Sequence, residues 1–315
     1  MLEFSEVAFA ARERLNSAAS DDPETEEMGT TSIAQHETAS LARFNWLMAV
    51  TLGLEASGEL LLAPVRTWQL VPSLLYLIPF AAIAWYCHWA QHDRVRDVIL
   101  AIAWAVALTL LSGPLVEIAA RSRLPLADRS LARIDLIQTA VVVNWLRRSS
   151  RLTFLSAVAY WVLLPLLVAA IVLPPLCSYR KAMQRFIVSG TVASLVTALI
   201  FAIWPAIGPW TVEGYQASQE QELTSTALLM LRAHHSDHSR PPTDAFVSFP
   251  SFHTILAILA AIALWDVRKA RWVGLALCIA VCIATVTTGW HYTVDVLAGI
   301  AVALTCYRAS AWLVR

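Results

Sequence analysis

Two histidines and one carboxylate carry the chemistry that this sequence offers. His253 closes the island Phe249-Pro250-Ser251-Phe252-His253, and His291 opens Tyr292-Thr293-Val294-Asp295 in a second island that begins at Trp290. Asp295 lies four residues beyond His291, the spacing that puts two side chains on one face of a helix. An imidazole is a nucleophile when neutral and a proton donor when charged, and an adjacent carboxylate can hold one ring nitrogen's proton. Two imidazoles with one carboxylate therefore suit covalent group transfer with general acid–base assistance.

The elements between the islands bring them together. From His253 the chain reads as an apolar helix to Leu264, turns through Trp265 to Arg271, and returns as a second apolar helix from Trp272 to Thr288. An antiparallel hairpin of that length returns His291 to the membrane face from which His253 departs.

Composition sets the solvent. The 315 residues are 58% hydrophobic and 15% charged, with thirteen Trp, and the mean hydropathy is +0.59. These values place the chain among integral membrane proteins. Its formal net charge of zero supplies no basic field for nucleic acid, which is excluded as a partner. The five cysteines lie in or beside apolar stretches, without the spacing of a metal site or disulfide framework, and read as packing residues.

The expected architecture is all-α, a polytopic helical bundle. Residues 1–42 form a polar tail with an acidic run at 21–27, residues 43–96 hold two N-terminal spans, and residues 97–315 hold six further membrane helices. The spans read Phe44 to Leu62, Leu70 to Trp89, Val98 to Ala119, Phe154 to Leu176, Ile187 to Ile207, His253 to Leu264, Trp272 to Thr288, and Thr293 to Leu313. The first carries Glu55 and Glu59, which read as acids reaching water where the span ends. Leu131 to Trp145 reads as one amphipathic interfacial helix.

Lys and Arg in the short loops at 93–96, 180–185 and 268–271 place those loops and both termini in the cytoplasm of a multi-pass plasma-membrane protein. Both islands then face the periplasmic or extracellular side. One loop runs against this rule: the 121–151 segment carries seven arginines against Asp128 and Asp135, yet the span count puts it on that outer side. The outer loop after Trp210 carries Arg232, Arg240 and the cluster His234-His235-Ser236-Asp237-His238, a weak candidate for metal because no second ligand set accompanies it.

Ser248 to His253, taken with Gly289 to Gly299, resembles the second and third signature motifs of the type 2 phosphatidic acid phosphatase (PAP2) superfamily. The likeness is greatest to the branch that includes inositol phosphorylceramide synthases and many bacterial membrane proteins. Trp204-Pro205-Ala206-Ile207-Gly208-Pro209-Trp210 and Leu124 to Asp135 are similar to further stretches of that branch. The resemblance implies a six-helix core and a phosphohistidine reaction on a membrane lipid phosphate. In that reaction His291 is the nucleophile, Asp295 its partner, and His253 the general acid. Ser251, Arg232 and Arg240 are the candidates to bind phosphate, and neither a metal nor another cofactor is required. Hydrolysis of a lipid phosphate or diphosphate leads. Transfer of a phospho-headgroup to an alcohol, or lipid binding or transport without turnover, are the alternatives.

Three departures from the family pattern are visible. Phe252 stands where the second motif often has Gly, and Thr285 stands six residues before the nucleophile where Arg is common. The first motif has only a partial counterpart in Arg240-Pro241 with Arg232. Phosphoryl transfer needs positive charge, so the source of that charge is the open question of the sequence.

Overall fold

The computed structural model describes residues 44–46, 48–50, 75–233 and 247–314. Of these residues 77% are helical, and none is in a strand. The chain divides into two units, Met1–Leu47 and Met48–Arg315.

Eleven α-helices follow one another among the described residues from Ile78 onward: α1 (Ile78–Trp89), α2 (Asp93–Ala120), α3 (Asp128–Ile134), α4 (Thr139–Leu146), α5 (Ser150–Trp161), α6 (Leu163–Leu176), α7 (Arg180–Ile203), α8 (Gln219–Arg232), α9 (Phe252–Ala263), α10 (Arg271–Thr287) and α11 (Thr293–Leu313). Among the described residues, four stretches are long and apolar enough to cross a membrane: α2, α5 with α6, α7, and α11. The apolar helices α9 and α10 are shorter. At 1.5 Å per residue α9 spans only about 18 Å, and His253 stands in its first turn. Of the first two expected spans, most of Phe44 to Leu62 with Glu55 and Glu59, and the start of Leu70 to Trp89, lie outside the described residues.

Helix α9 is the centre of the bundle and packs against α6, α7, α10 and α11. Its sequence explains that place: Ala257, Ala260, Ala261 and Ala263 are buried, and small side chains let helix backbones approach where lipid supplies no hydrophobic drive. Large apolar side chains point outward instead. Phe154, Trp161, Leu164, Leu199 and Trp312 are exposed, as a lipid-facing surface requires.

Polar contacts pin the two ends. At the end away from His291, the carboxylate of Asp97 in α2 meets the guanidinium of Arg180 in α7 and lies 3.3 Å from that of Arg96. The Arg185 guanidinium sits 4.2 Å from the Tyr307 ring centroid, joining α7 to α11. These pairs explain why α7 begins at Arg180, ahead of the apolar run that starts at Ile187. It ends before Pro205, which lacks the N–H that another turn would need.

At the His291 end, residues 121–149 differ from the single amphipathic helix read in the sequence. They form two short helices, α3 and α4, separated at Asp135–Gln138. The break has a cause: Asp135 turns its carboxylate to accept from Val294 N at 3.0 Å, and the Thr139 hydroxyl donates to His291 O at 3.4 Å. Helix continuity is exchanged for two ties to the second island. The arginine-rich segment thus sits on the same side of the bundle as His291.

Candidate active site

Each island is shaped by a helix start. Ser251 caps α9, its hydroxyl accepting from Thr254 N at 3.4 Å. Asp295, in the first turn of α11, reaches back to accept from Tyr292 N at 2.9 Å, satisfying a donor that the helix start would leave open. The islands are latched by Ser251 N donating to Asp295 O at 3.1 Å and by the Ser248 hydroxyl donating to Asp295 Oδ2 at 3.2 Å.

Two glycines are needed for this arrangement. Gly289 has φ +81°, and its carbonyl accepts from the Tyr215 hydroxyl at 2.6 Å and Gln221 Nε2 at 2.9 Å. A side chain at Gly299 would place its Cβ 2.8 Å from Ser251 O, so only glycine lets α11 lie against the start of α9.

His291 is buried, and its Nδ1 lies 2.8 Å from Ser248 O and 3.4 Å from Asp295 Oδ2. A carbonyl oxygen can only accept, so Nδ1 carries the proton and Nε2 keeps its lone pair. Burial pushes the imidazole down to about 4, against a smaller upward pull from the Ser248 carbonyl. The ring is then neutral at pH 7, and the 3.4 Å approach of Asp295 is a polar contact rather than an ion pair.

His253 faces it. The two imidazole centroids are 6.1 Å apart, with the ring planes at 58°. On its other side His253 meets Tyr160 from α5, with ring centroids 4.5 Å apart and the Tyr160 hydroxyl 3.4 Å from Nδ1. Both histidines open onto a cavity of about 270 Å³ whose wall includes Tyr160, Thr197, Ser248 and Trp290. No Lys or Arg is among its lining residues within the described chain.

The structure brings together His253, His291 and Asp295. Ser251 lies beside them; its hydroxyl oxygen accepts from Thr254 N and, at 3.1 Å, from Thr254 Oγ1, which leaves its own O–H as a donor. Arg232 does not line the cavity: at the end of α8, its Nη2 donates to the Leu124 carbonyl, and partial burial lowers its affinity for the proton. Arg240 and the cluster His234 to His238 lie outside the described residues. Among the described residues, no group of three or more His, Cys, Asp or Glu is arranged to hold a metal ion.

Reading the sequence did not single out Tyr160, Thr197 or Asp128 as contributors. Asp128 is buried at the N-terminus of α3 and accepts from Ile207 N, Gly208 N (2.8 Å) and the Tyr292 hydroxyl. It fixes the proline-bounded loop after α7 against the second island. Burial raises its carboxyl above the usual range, and the two backbone donors offset only part of that rise. Its signal was present in the stretch Leu124 to Asp135. Tyr160 had none, being an aromatic in an apolar run.

A family model described as the PAP2 superfamily matches residues 128–309, which span α3 to α11 and so contain every element of the cavity wall except α2. The chain belongs to the PAP2 superfamily. Membership makes it a membrane protein of a phosphatase-type family. No curated protein and no solved structure matches the chain. Within this PAP2 protein, α3, α4 and the loop after α7 act as a collar that holds the second island; α9 carries His253 and α11 carries Asp295, while His291 lies in the turn ahead of α11 rather than on the same helix face as Asp295.

Proposed function

We propose that this protein hydrolyses a membrane lipid phosphate or diphosphate through a phosphohistidine intermediate. One observation carries the reading: His291 Nδ1 is held against the Ser248 carbonyl, which leaves Nε2 as a nucleophile with a second imidazole 6.1 Å away, centroid to centroid. Nε2 attacks phosphorus in line, the bond to the leaving oxygen breaks, and His253 gives that oxygen a proton. The positive charge that develops on His291 is spread through Nδ1–H to Ser248 O and to Asp295. Water then attacks the phosphohistidine while His253 takes its proton, and phosphate leaves.

The phosphate charge needs donors. The backbone N–H groups of Phe252 and His253 at the start of α9 have no backbone partner among the described residues, and a helix start favours an anion. Arg240 is the candidate cation. It is seven residues from Val247, which lines the cavity, a distance of chain that reaches at most about 24 Å. The Lys and Arg bias of the short loops puts the site on the outer face of the plasma membrane, with both termini inside.

A second reading, lipid-phosphate binding without turnover, is favoured by the lack of Lys and Arg among the described lining residues. One assay separates the two. Detergent-purified protein is given lipid mono- and diphosphates, and phosphate release is followed with His291→Ala as control. Release lost in the variant supports the phosphatase. Transfer of the phosphoryl-bearing group to an added alcohol in its place reassigns the activity to a transferase, and no turnover of either kind leaves binding alone.

A further inference from the structure

The arginines of the 121–151 segment run against the charge rule that orients the rest of the chain, and the fold leaves most of them without a counter-charge. Arg121 is tied to Glu117 at 3.0 Å, and Arg147 donates to Gln216 O at 2.7 Å with its guanidinium 5.7 Å from the Tyr215 ring centroid. Arg129, Arg133, Arg148 and Arg151 are exposed, and none of the four has a hydrogen bond or ion pair with another described residue. The nearby carboxylates are turned inward. Asp128 accepts from Ile207 N and Gly208 N, Asp135 from Val294 N, and Glu213 Oε2 from Ala140 N at 2.7 Å. The remaining oxygens Asp135 Oδ2 and Glu213 Oε1 are buried as well. An uncompensated belt of four guanidinium groups is left, on α3, between α4 and α5, and in the first turn of α5.

The same segment exposes hydrocarbon. Leu136 is 71% exposed, Ile137, Val141 and Trp145 are exposed with it, and Phe154 follows one turn into α5. In α4, Val141 and Trp145 share one face, while Thr139, Val143 and Leu146 are buried on the other. A surface in water does not hold so many bare apolar side chains together, and a surface in hydrocarbon does not hold four bare guanidinium groups. The combination fits the boundary between the two, where long arginine side chains reach the headgroups and apolar and Trp side chains enter the acyl region.

We infer that the collar is seated in the headgroup layer, with Arg129, Arg133, Arg148 and Arg151 holding the phosphates of anionic phospholipids in the surrounding bilayer. Charge complementarity selects this occupant: a zwitterionic headgroup carries its own cation and brings no net charge to the belt. A partner protein in water is disfavoured by Leu136, Ile137 and Val141, which lipid covers at no further cost. The lipid held here is a structural partner rather than a substrate, and the inference stands without the phosphatase reading. It still bears on the site. The Asp135 carboxylate at the break between α3 and α4 accepts from Val294 N, and Thr139 at the start of α4 donates to His291 O, so lipid that steadies the collar steadies the second island.

The test is lipid binding by the full-length protein in a neutral detergent, read by native mass spectrometry with phosphatidylglycerol and phosphatidylcholine of identical chains. Phosphatidylglycerol is a phosphodiester, so the proposed hydrolysis does not consume it. It should bind about tenfold more tightly than phosphatidylcholine. That preference should shrink to within about twofold when Arg129, Arg133, Arg148 and Arg151 are all changed to Gln, and by about threefold in each of two pairs, Arg129→Gln with Arg133→Gln and Arg148→Gln with Arg151→Gln. The pairs keep the test open if the quadruple variant fails to fold. Arg268→Gln with Lys269→Gln, exposed at the opposite end of the bundle, should keep the preference, and its loss there would reduce the binding to non-specific attraction and overturn the belt. Equal binding of the two lipids by the unaltered protein, or a preference that neither pair reduces, overturns it too. Glycerophosphoglycerol, the same headgroup without chains, should not displace the lipid. Displacement at equal concentration would make the belt a site for soluble phosphates and overturn its seating in the bilayer.

Discussion

The Nδ1 of His291 is 2.8 Å from the carbonyl oxygen of Ser248, nearer than the 3.4 Å to Asp295 Oδ2. Backbone therefore sets the tautomer, and the carboxylate stands second in line, where it matters once the ring becomes cationic. A backbone carbonyl cannot be protonated near neutrality, so this orientation is insensitive to pH. What pH changes is the ring itself.

With its affinity for the proton lowered to about 4, His291 stays neutral in the folded protein while an unfolded chain protonates it near 6.5. Folding stability from this group is whole above pH 6.5 and is lost as pH falls from 6.5 toward 4, by about 3 kcal/mol if the full shift is realised. Melting temperature in detergent measured across pH 7 to 4 should fall less steeply in His291→Gln than in the unaltered protein. The same shift places the acid limb of kcat/KM that belongs to the nucleophile near pH 4. Parallel melting curves for the two proteins would refute the buried neutral imidazole.

Tyr160 should matter through His253. In the proposed cycle His253 Nδ1–H donates to Tyr160 Oη, so Nε2 is the nitrogen that gives and takes the proton. Tyr160→Phe keeps the ring stack and removes the acceptor. The expectation is a fall of about tenfold in kcat with KM nearly constant, the size of a misdirected acid–base group, together with a displaced pH limb. A variant with an unchanged pH profile would make Tyr160 a packing residue only.

The membrane bundle and the pairing of His253 with His291 and Asp295 were legible because each rests on a short-range signal: long apolar runs, and a hairpin whose length can be counted. The break between α3 and α4 was not legible. Asp135 leaves the helical pattern to bond Val294, and Thr139 at the start of α4 bonds His291, each more than 150 residues away in sequence, and no local pattern encodes so distant a partner. Arg232 stood out in the sequence for its charge and as part of a partial counterpart to the first motif. Its attachment to the Leu124 carbonyl likewise depends on a contact across 108 residues. Thr197 was invisible for a third reason, since a lone hydroxyl in an apolar helix reads as tolerated until the cavity beside it is known.

Asp128 tests whether the collar supports the site. Asp128→Ala would leave the N–H groups of Ile207 and Gly208 buried without an acceptor and free the Tyr292 hydroxyl. Each stranded buried donor costs about 1–3 kcal/mol, so a destabilisation of roughly 2–5 kcal/mol is expected. It should be read as a lower melting temperature together with faster proteolysis between α7 and α8. An unchanged melting temperature would mean that water takes the place of the carboxylate and that the loop after α7 stands without it.

Gly299 is the sharpest test of the latch between α9 and α11. In Gly299→Ala the new Cβ would meet Ser251 O at 2.8 Å and Thr254 Cβ at 3.1 Å. The nearer atom is backbone and cannot rotate away, so one helix must move. That motion strains Ser251 N–H···O Asp295 and shifts His253, two residues along α9, relative to His291. Overpacking of this kind costs about 1–3 kcal/mol, and a displacement near 1 Å at reacting groups costs about a hundredfold in rate. Turnover should therefore fall further than stability does, with kcat down by ten- to a hundredfold in protein that still folds. Full activity with an unaltered melting temperature would show that α11 can slide without cost, and the close approach at Gly299 would then hold no part of the site.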